Sequence, residues 1–200
     1  MRKFLKACVN ALFLVLTFPA ALVSGFGRLK PVYTFFAHGF ATAPGGIGDY
    51  FRAAYYHLTL REFALSSRIS FGSFFAHPEA CIGSRVYIGS YCIIGRVTIG
   101  DGTLLASGVQ LLSGQHQHTR DSSGPAFQGG EFVQVTIGAD SWIGAAATVM
   151  ADVGSRTTIG AGSVVTRPVP DDCVAVGNPA RVIRGANAVT ANPSMESPHS

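Results

Sequence analysis

The chain has 200 residues, with 13% charged residues, 48% hydrophobic residues, 24 Gly and a formal net charge of +4. An average soluble domain is about 25% charged and about 7% Gly; few charges beside so many apolar residues exclude a charge-driven disordered chain and a coiled coil, and point instead to short buried strands joined by tight turns. The charge is uneven: residues 1–48 hold Arg2, Lys3, Lys6, Arg28 and Lys30 and no acid, whereas residues 49–200 hold ten Arg and eleven acids, so no basic stripe marks the main domain as a nucleic-acid binder.

Residues 7–26 read ACVNALFLVLTFPAALVSGF, an uncharged run interrupted by Asn10 and Pro19. Its length suffices to cross a hydrocarbon core of about 30 Å. The residues allow a buried core helix, a cleaved signal peptide, or a retained membrane segment that spans or turns back at Pro19. Basic residues flank both ends, so charge does not choose an orientation. Residues 31–66 are rich in aromatics, among them Tyr33, Phe36, Phe40, Tyr55 and Tyr56. Those rings suit a membrane interface or packing on the end of the main domain. Residues 44–48 form a break, and Asp49 is predicted to cap a helix running through Leu60.

From there the chain repeats. Eight of the eleven Ile are followed by Gly, seven of them within residues 82–160. Ile82, Ile88 and Ile94 are six apart, as are Ile99, Leu105 and Leu111, then Ile137, Ile143 and Val149, and finally Ile159 and Val165. Four residues after most of these sits a small or β-branched residue or Cys, such as Val86, Cys92, Ser141 and Ala147. A period of six is neither helical nor plain strand alternation, and a β-sandwich would not keep it. It predicts an all-β fold, a parallel β-helix of hexapeptides with roughly four coils over residues 78–170. The apolar residue points inward and Gly is expected to help the chain turn. Ile94 to Ile99 is five residues and Val149 to Ile159 is ten, which reads as shortened corners. The register stops between Leu111 and Ile137, and so long an excursion from a compact repeat is expected to be functional. The domain reading is therefore a membrane segment at 1–30, an aromatic, partly helical connector at 31–76, a β-helix at 77–183 with a loop at 114–134, and a tail at 184–200.

The loop opens with SGQHQHTRD, which carries His116 and His118, and its only acids are Asp121 and Glu131. His38, His57, His77 and His199 read as structural or surface residues. Cys8, Cys81, Cys92 and Cys173 form no CxxC pair and suggest neither a disulfide framework nor a zinc site, and Cys92 falls at an inward repeat position.

The stretches VTIGADSWIGAAATVMADVG, IGAGSVVTRPVP and VAVGNPARVIR, with the repeat, resemble the hexapeptide-repeat acyltransferases with a left-handed β-helix. The likeness covers about residues 78–184 and is closest to the branch of maltose, galactoside and xenobiotic O-acetyltransferases. The N-terminus is similar to membrane-associated acyltransferases of polysaccharide loci. This resemblance implies a homotrimer with active sites between neighbouring prisms, acetyl-CoA as co-substrate without a metal, and transfer to a hydroxyl of a saccharide acceptor. It implies a His base, which suits a weak alcohol nucleophile near pH 7. The sugar acetyltransferases point to His116, and the Ser-Gly-x-x-Gln-His pattern of the membrane-associated relatives points to His118. Backbone N–H groups at a Gly-rich turn would hold the oxyanion.

For CoA the resemblance implies Trp142, Gly144 and Ala145 along the prism, with Gly177, Asn178, Pro179, Ala180 and Arg181 in the closing turn. Arg167 and Arg181 are the candidate phosphate partners, although the family often has Lys-Asp where Arg167-Pro168 stands. A cytoplasmic donor favours a retained membrane segment, with the catalytic domain facing the cytoplasm. Two other readings stay open: a β-helical carbonic anhydrase, which would need a third His such as His77 beside His116 and His118, and a structural β-helix without catalysis.

Overall fold

The computed structural model describes residues 2–113, 118–119, 128–129 and 133–185, with residues 2–3, 118–119 and 128–129 described by backbone alone. Three helices come first: α1 (Arg2–Val23), α2 (Lys30–Ala41) and α3 (Gly45–Thr59). Short strands then wind into a triangular prism with three parallel faces and about five turns, the parallel β-helix that the repeat predicts, with the left hand that the resemblance implies.

The first face stacks Glu62–Phe63, Cys81–Ile82, Val97–Ile99 and Val135–Ile137, continued by bridges at Val153 and Val169. The second stacks Arg68–Ile69, Tyr87–Ile88, Leu104–Leu105, Trp142–Ile143, Thr158–Ile159 and Val174–Val176. The third stacks Phe74–Phe75, Ile93–Ile94, Gln110–Leu111, Thr148–Val149 and Val164–Val165. The second residue of each two-residue strand and its counterparts in the longer strands point inward, which gives three buried columns: Phe63, Ile82, Ile99, Ile137, Val153 and Val169, with Val97 and Val135 beside them; Ile69, Ile88, Leu105, Ile143, Ile159 and Ala175; Phe75, Ile94, Leu111, Val149 and Val165. Removing these aliphatic columns from water supplies the main favourable term of folding.

The prism starts one coil earlier than residues 77–78, at Glu62. Its first inward residues, Phe63, Ile69 and Phe75, are followed by Ala64, Ser70 and Ala76, so the Ile-Gly signature is missing there. Two corners keep a constant spacing of six, as in Ile137, Ile143 and Val149. The third corner absorbs all the irregularity: Ile94 to Ile99 is five residues, and Val149 to Val153 and Val165 to Val169 are four each. The excursion after Leu111 leaves from this same corner, and its roots meet where the Val133 N–H donates to the Ser113 carbonyl at 3.1 Å.

The Gly after each inward Ile has a different task from the one expected. Most of the left-handed turn positions on the prism lie two residues later, at Arg85, Tyr91, Asp140, Ala146 and Arg156, with φ between 52° and 60°. The Ile-following Gly lets the coils stack: a Cβ on Gly89 would meet the Ser107 nitrogen at 2.6 Å, and one on Gly144 the Ala161 nitrogen at 2.5 Å. Small hydroxyl residues at the corners stitch coil to coil. Ser67 Oγ donates to the Gly83 carbonyl at 2.6 Å and accepts the Val86 N–H at 2.9 Å, and Ser73 treats Gly89 and Cys92 in the same way at 2.6 and 2.8 Å. Cys92 is fully buried in this column.

The aromatic connector closes the open end of the prism. Tyr33 Oη donates to the Phe75 carbonyl and Tyr55 Oη to the Tyr33 carbonyl, both at 3.0 Å, and the Tyr56 ring meets Phe75 edge-on at 4.8 Å. Asp49 is not the helix cap: α3 begins at Gly45 after Pro44, and Asp49 lies in its second turn with its carboxylate engaged by Arg52 at 2.7 Å and Arg68 at 3.4 Å. The α1 helix runs on through Pro19, and the chain turns back only over residues 24–29, where Gly25, Phe26 and Gly27 adopt left-handed backbone. Only the stripe Phe13, Thr17, Ala21 and Ser24 and its neighbours face the protein, so α1 is not a core helix.

Candidate active site

The residue before each inward residue of the second face points outward. These residues form one exposed line: Arg68, Tyr87, Leu104, Trp142, Thr158, Val174. Trp142 is 54% exposed and Tyr87 41%. Two strand steps separate them, about 10 Å. Gly144 follows on the same coil, pressed flat against the coil below, and Ala145 beside it is exposed. The exposed part of the strip beside the indole is therefore the small Ala145, while Gly144 itself is buried.

The lower end of the same face is closed by the reversal at Gly177–Arg181. The Gly177 N–H donates to Ser163 Oγ at 3.1 Å, the Val164 N–H to the Gly177 carbonyl at 3.0 Å and the Ala180 N–H to the Val164 carbonyl at 2.8 Å. Asn178 and Pro179, joined by a cis bond, stand exposed at the tip. The chain then returns antiparallel as Arg181–Arg184, with Arg181 opposite Val176. The fold therefore brings Trp142, Gly144, Ala145, Gly177, Asn178, Pro179, Ala180 and Arg181 to one face. It does not bring Arg167 there: that exposed residue sits at the third corner, between Val165 and Val169.

The loop that carries the candidate bases leaves from that opposite corner. His118 lies in a two-residue strand paired antiparallel with Gly129, and its side chain and the whole of His116 lie outside the described residues, as do Asp121 and Glu131. Among the described residues no three His, Cys, Asp or Glu side chains gather as a metal site. His77 lies at the third corner two coils above the loop, half-buried beside Glu79 and Arg96.

At the upper end of the exposed line is a cleft of about 490 Å³ between the helices and the first two coils. Its walls include Lys6 and Asn10 of α1, Asp49 and Tyr50 of α3, and Ser66, Arg68, Arg85 and Tyr87 of the prism. Three cations face one carboxylate that is already shared between Arg52 and Arg68. Sequence reasoning did not single out these residues. The register offered a signal for two of them: Arg68 and Tyr87 precede inward residues on the face that carries Trp142.

A family profile described as a hexapeptide repeat of succinyl-transferase matches residues 80–113 and 134–167. Nodulation protein L of Rhizobium meliloti is 35% identical over 148 residues, which cover 68% of this chain and 78% of that protein. The chain belongs to the hexapeptide-repeat acyltransferase family. Galactoside O-acetyltransferase of Escherichia coli K12 is 39% identical over 95 residues, 46% of this chain and 45% of that enzyme. The chain spans about half the length of several of the curated relatives it matches. The crystal structure of a maltose O-acetyltransferase from Clostridium difficile 630 superposes with a TM-score of 0.67 at 24% identity, over 79% of this chain and 88% of that one. That likeness concerns the fold. Family membership fits the prism.

Proposed function

We propose that this chain is an acetyl-CoA-dependent O-acetyltransferase that acetylates a saccharide hydroxyl, works as a homotrimer and is held at the cytoplasmic membrane by its N-terminal segment. The observation that carries the reading is the single exposed line on the second face. It joins a tyrosine-lined cleft at one end to Trp142, the exposed Ala145 and the Gly177–Arg181 turn at the other. An acceptor seated in the cleft and a CoA thioester lying along the lower coils would meet between Tyr87 and Trp142. A relative named for galactoside supports a saccharide acceptor. The cleft's hydroxyl, amide and guanidinium groups are those that hydrogen-bond sugar hydroxyls.

The chemistry needs few groups. His118, or His116, takes the proton of the acceptor hydroxyl as its oxygen attacks the thioester carbonyl. Backbone N–H groups hold the oxyanion of the tetrahedral intermediate. As the intermediate collapses the C–S bond breaks, the imidazolium returns the proton to the departing sulfur, and an acetyl ester and free CoA thiol result. The roots of the loop and the Trp142 face lie on opposite sides of one prism, and a trimer would set the loop of one protomer against the face of the next. Arg167, at the corner from which the loop leaves, would on this reading approach the neighbour's CoA. The α1 helix presents an apolar surface, and a cytoplasmic donor favours the cytoplasmic side.

The test is release of free CoA thiol from acetyl-CoA in the presence of oligosaccharide acceptors. His118→Ala is expected to lower kcat by about 10²–10⁴ with intact folding, and His116→Ala by less. If neither variant lowers the rate, the mechanism is wrong. Zinc in the purified protein, with carbon dioxide hydration in place of acetyl transfer, would favour the carbonic anhydrase alternative.

A further inference from the structure

We propose that α1 does not cross the bilayer but lies along it, as an in-plane helix seated on a leaflet that carries anionic headgroups. The inference rests on the membrane association proposed above and goes beyond it.

Length does not decide between the two modes, because a helix of 22 residues is about 33 Å long and would span a core of about 30 Å. Packing decides. From Lys6 to Pro19, α1 runs beside α3 and the edge of the prism. Lys6 and Asn10 share the cleft with Asp49 and Arg85, Phe13 packs on Tyr50 and Phe51 at 5.3 and 4.8 Å, and Phe18 and Pro19 lie by Leu58. A spanning α1 would carry these neighbours to bilayer depth. Arg68, whose side chain is 60% exposed, would then stand in hydrocarbon with its partner Asp49, which is costly for either charge.

The rest of the helix surface has the opposite character. Leu5, Leu12, Val15, Leu16, Leu22 and Val23 are all more than half exposed. The surface helix of a soluble protein would carry polar residues there. The charges supply the partner's identity. Arg2, Lys3 and Lys6 stand at one end of the helix and Arg28 and Lys30 just beyond the other, with no acid among residues 1–48. In the plane of a membrane both ends reach the same anionic leaflet; the charges left for it are Arg2, Lys3 and Arg28, because Lys6 lines the cleft and Lys30 lies 3.6 Å from Glu79. An interfacial helix of this kind sinks about 5–10 Å into the headgroup boundary.

The experiment uses the full chain. Flotation with phosphatidylcholine vesicles, with and without phosphatidylglycerol, is expected to show binding that requires the anionic lipid and falls roughly ten-fold or more as salt is raised. The double variant Leu12→Glu, Leu16→Glu is expected to lose binding while keeping its circular dichroism and its acetyl transfer to a soluble acceptor. Topology is read in inside-out membrane vesicles, in a Cys8→Ser, Cys81→Ser background. Arg2→Cys and Arg28→Cys are both expected to react with an impermeant maleimide. Protection of one end and labelling of the other would mean a spanning helix, which overturns this proposal and leaves membrane association standing. Absence of vesicle binding, with a smaller assembly for Leu12→Glu, Leu16→Glu in ultracentrifugation, would mean that a second copy covers the face, and both readings would fall.

Discussion

Arg52 is fully buried, and its guanidinium makes contacts no other side chain can reproduce. Nε donates to the Ile69 carbonyl at 2.9 Å, Nη1 to the Phe40 and Ala43 carbonyls at 2.9 and 2.8 Å, and Nη2 to Asp49 at 2.7 Å. It thus ties the end of α2, the body of α3 and the first coil together. Arg52→Ala would leave a carboxylate and several carbonyls unmatched, and about 3–5 kcal/mol of stability should disappear in urea unfolding. Arg52→Lys should restore little of it, since an ammonium cannot reach acceptors on three elements at once. At Gly144 the limit is steric, because an added Cβ meets backbone at 2.5 Å. Gly144→Ala is expected to cost about 1–3 kcal/mol, visible as a lower Tm even if acetyl transfer at low temperature is intact. The Ile-Gly pattern was legible in the sequence at this scale. The reason for the Gly was not, because it depends on a coil 16 or more residues away in the chain.

Among elements, the third corner holds the only departures from the six-residue rhythm, and next to the loop it holds a small charged cluster. Glu79 is 3.1 Å from Arg96 and 3.6 Å from Lys30, and the Arg96 N–H donates to Ser113 Oγ at the loop root at 2.8 Å. Burial holds the His77 imidazole below its usual 6.5, against the pull of Glu79 and with the help of Arg96 and Lys30. Burial pushes Glu79 upward, but its own backbone N–H, Lys30 and Arg96 outweigh that and keep it below its usual 4.5. Both shifts act with the same sign. The unfolded chain binds the His77 proton more readily, so that contribution is lost as pH falls below about 6.5. The Glu79 contribution is present above about 4.5 and is lost as pH falls through its folded value. Tm should therefore fall on acidification in two stages, and His77→Gln should remove the upper one. The sequence showed the slips and the excursion as interruptions. That all of them share one edge of the prism follows only once the coils are stacked.

For the molecule as a whole, the loop is rooted at the corner opposite the Trp142 face of one prism, so a trimer of the proposed kind would build each site from two protomers. A protein with both His116→Ala and His118→Ala should be inactive, and so should one with Ala145→Glu, which places a charge on the strip beside Trp142. Trimers reassembled from an equal mixture of the two should recover roughly a quarter of the wild-type rate, because a quarter of the interfaces then join an intact loop to an intact face. A mixture as inactive as its components would mean that the site lies within one chain.

The sequence by itself determined the prism: an apolar residue every six positions is a requirement of the repeat, and the Gly that lets coils stack recurs in every coil from Ile82 to Val165. It also indicated the loop, which breaks the repeat, and the resemblance it carries pointed to the Trp142 coil and the closing turn. The tertiary structure decided that the first coil begins at Glu62, that the connector closes the prism's end, that Arg167 stands apart from Trp142, and that Lys6, Asp49, Arg68 and Tyr87 line one cleft. No local pattern encodes that cleft, because stacking and helix packing gather residues dozens of positions apart, and only the three-dimensional fold sets the distances between them.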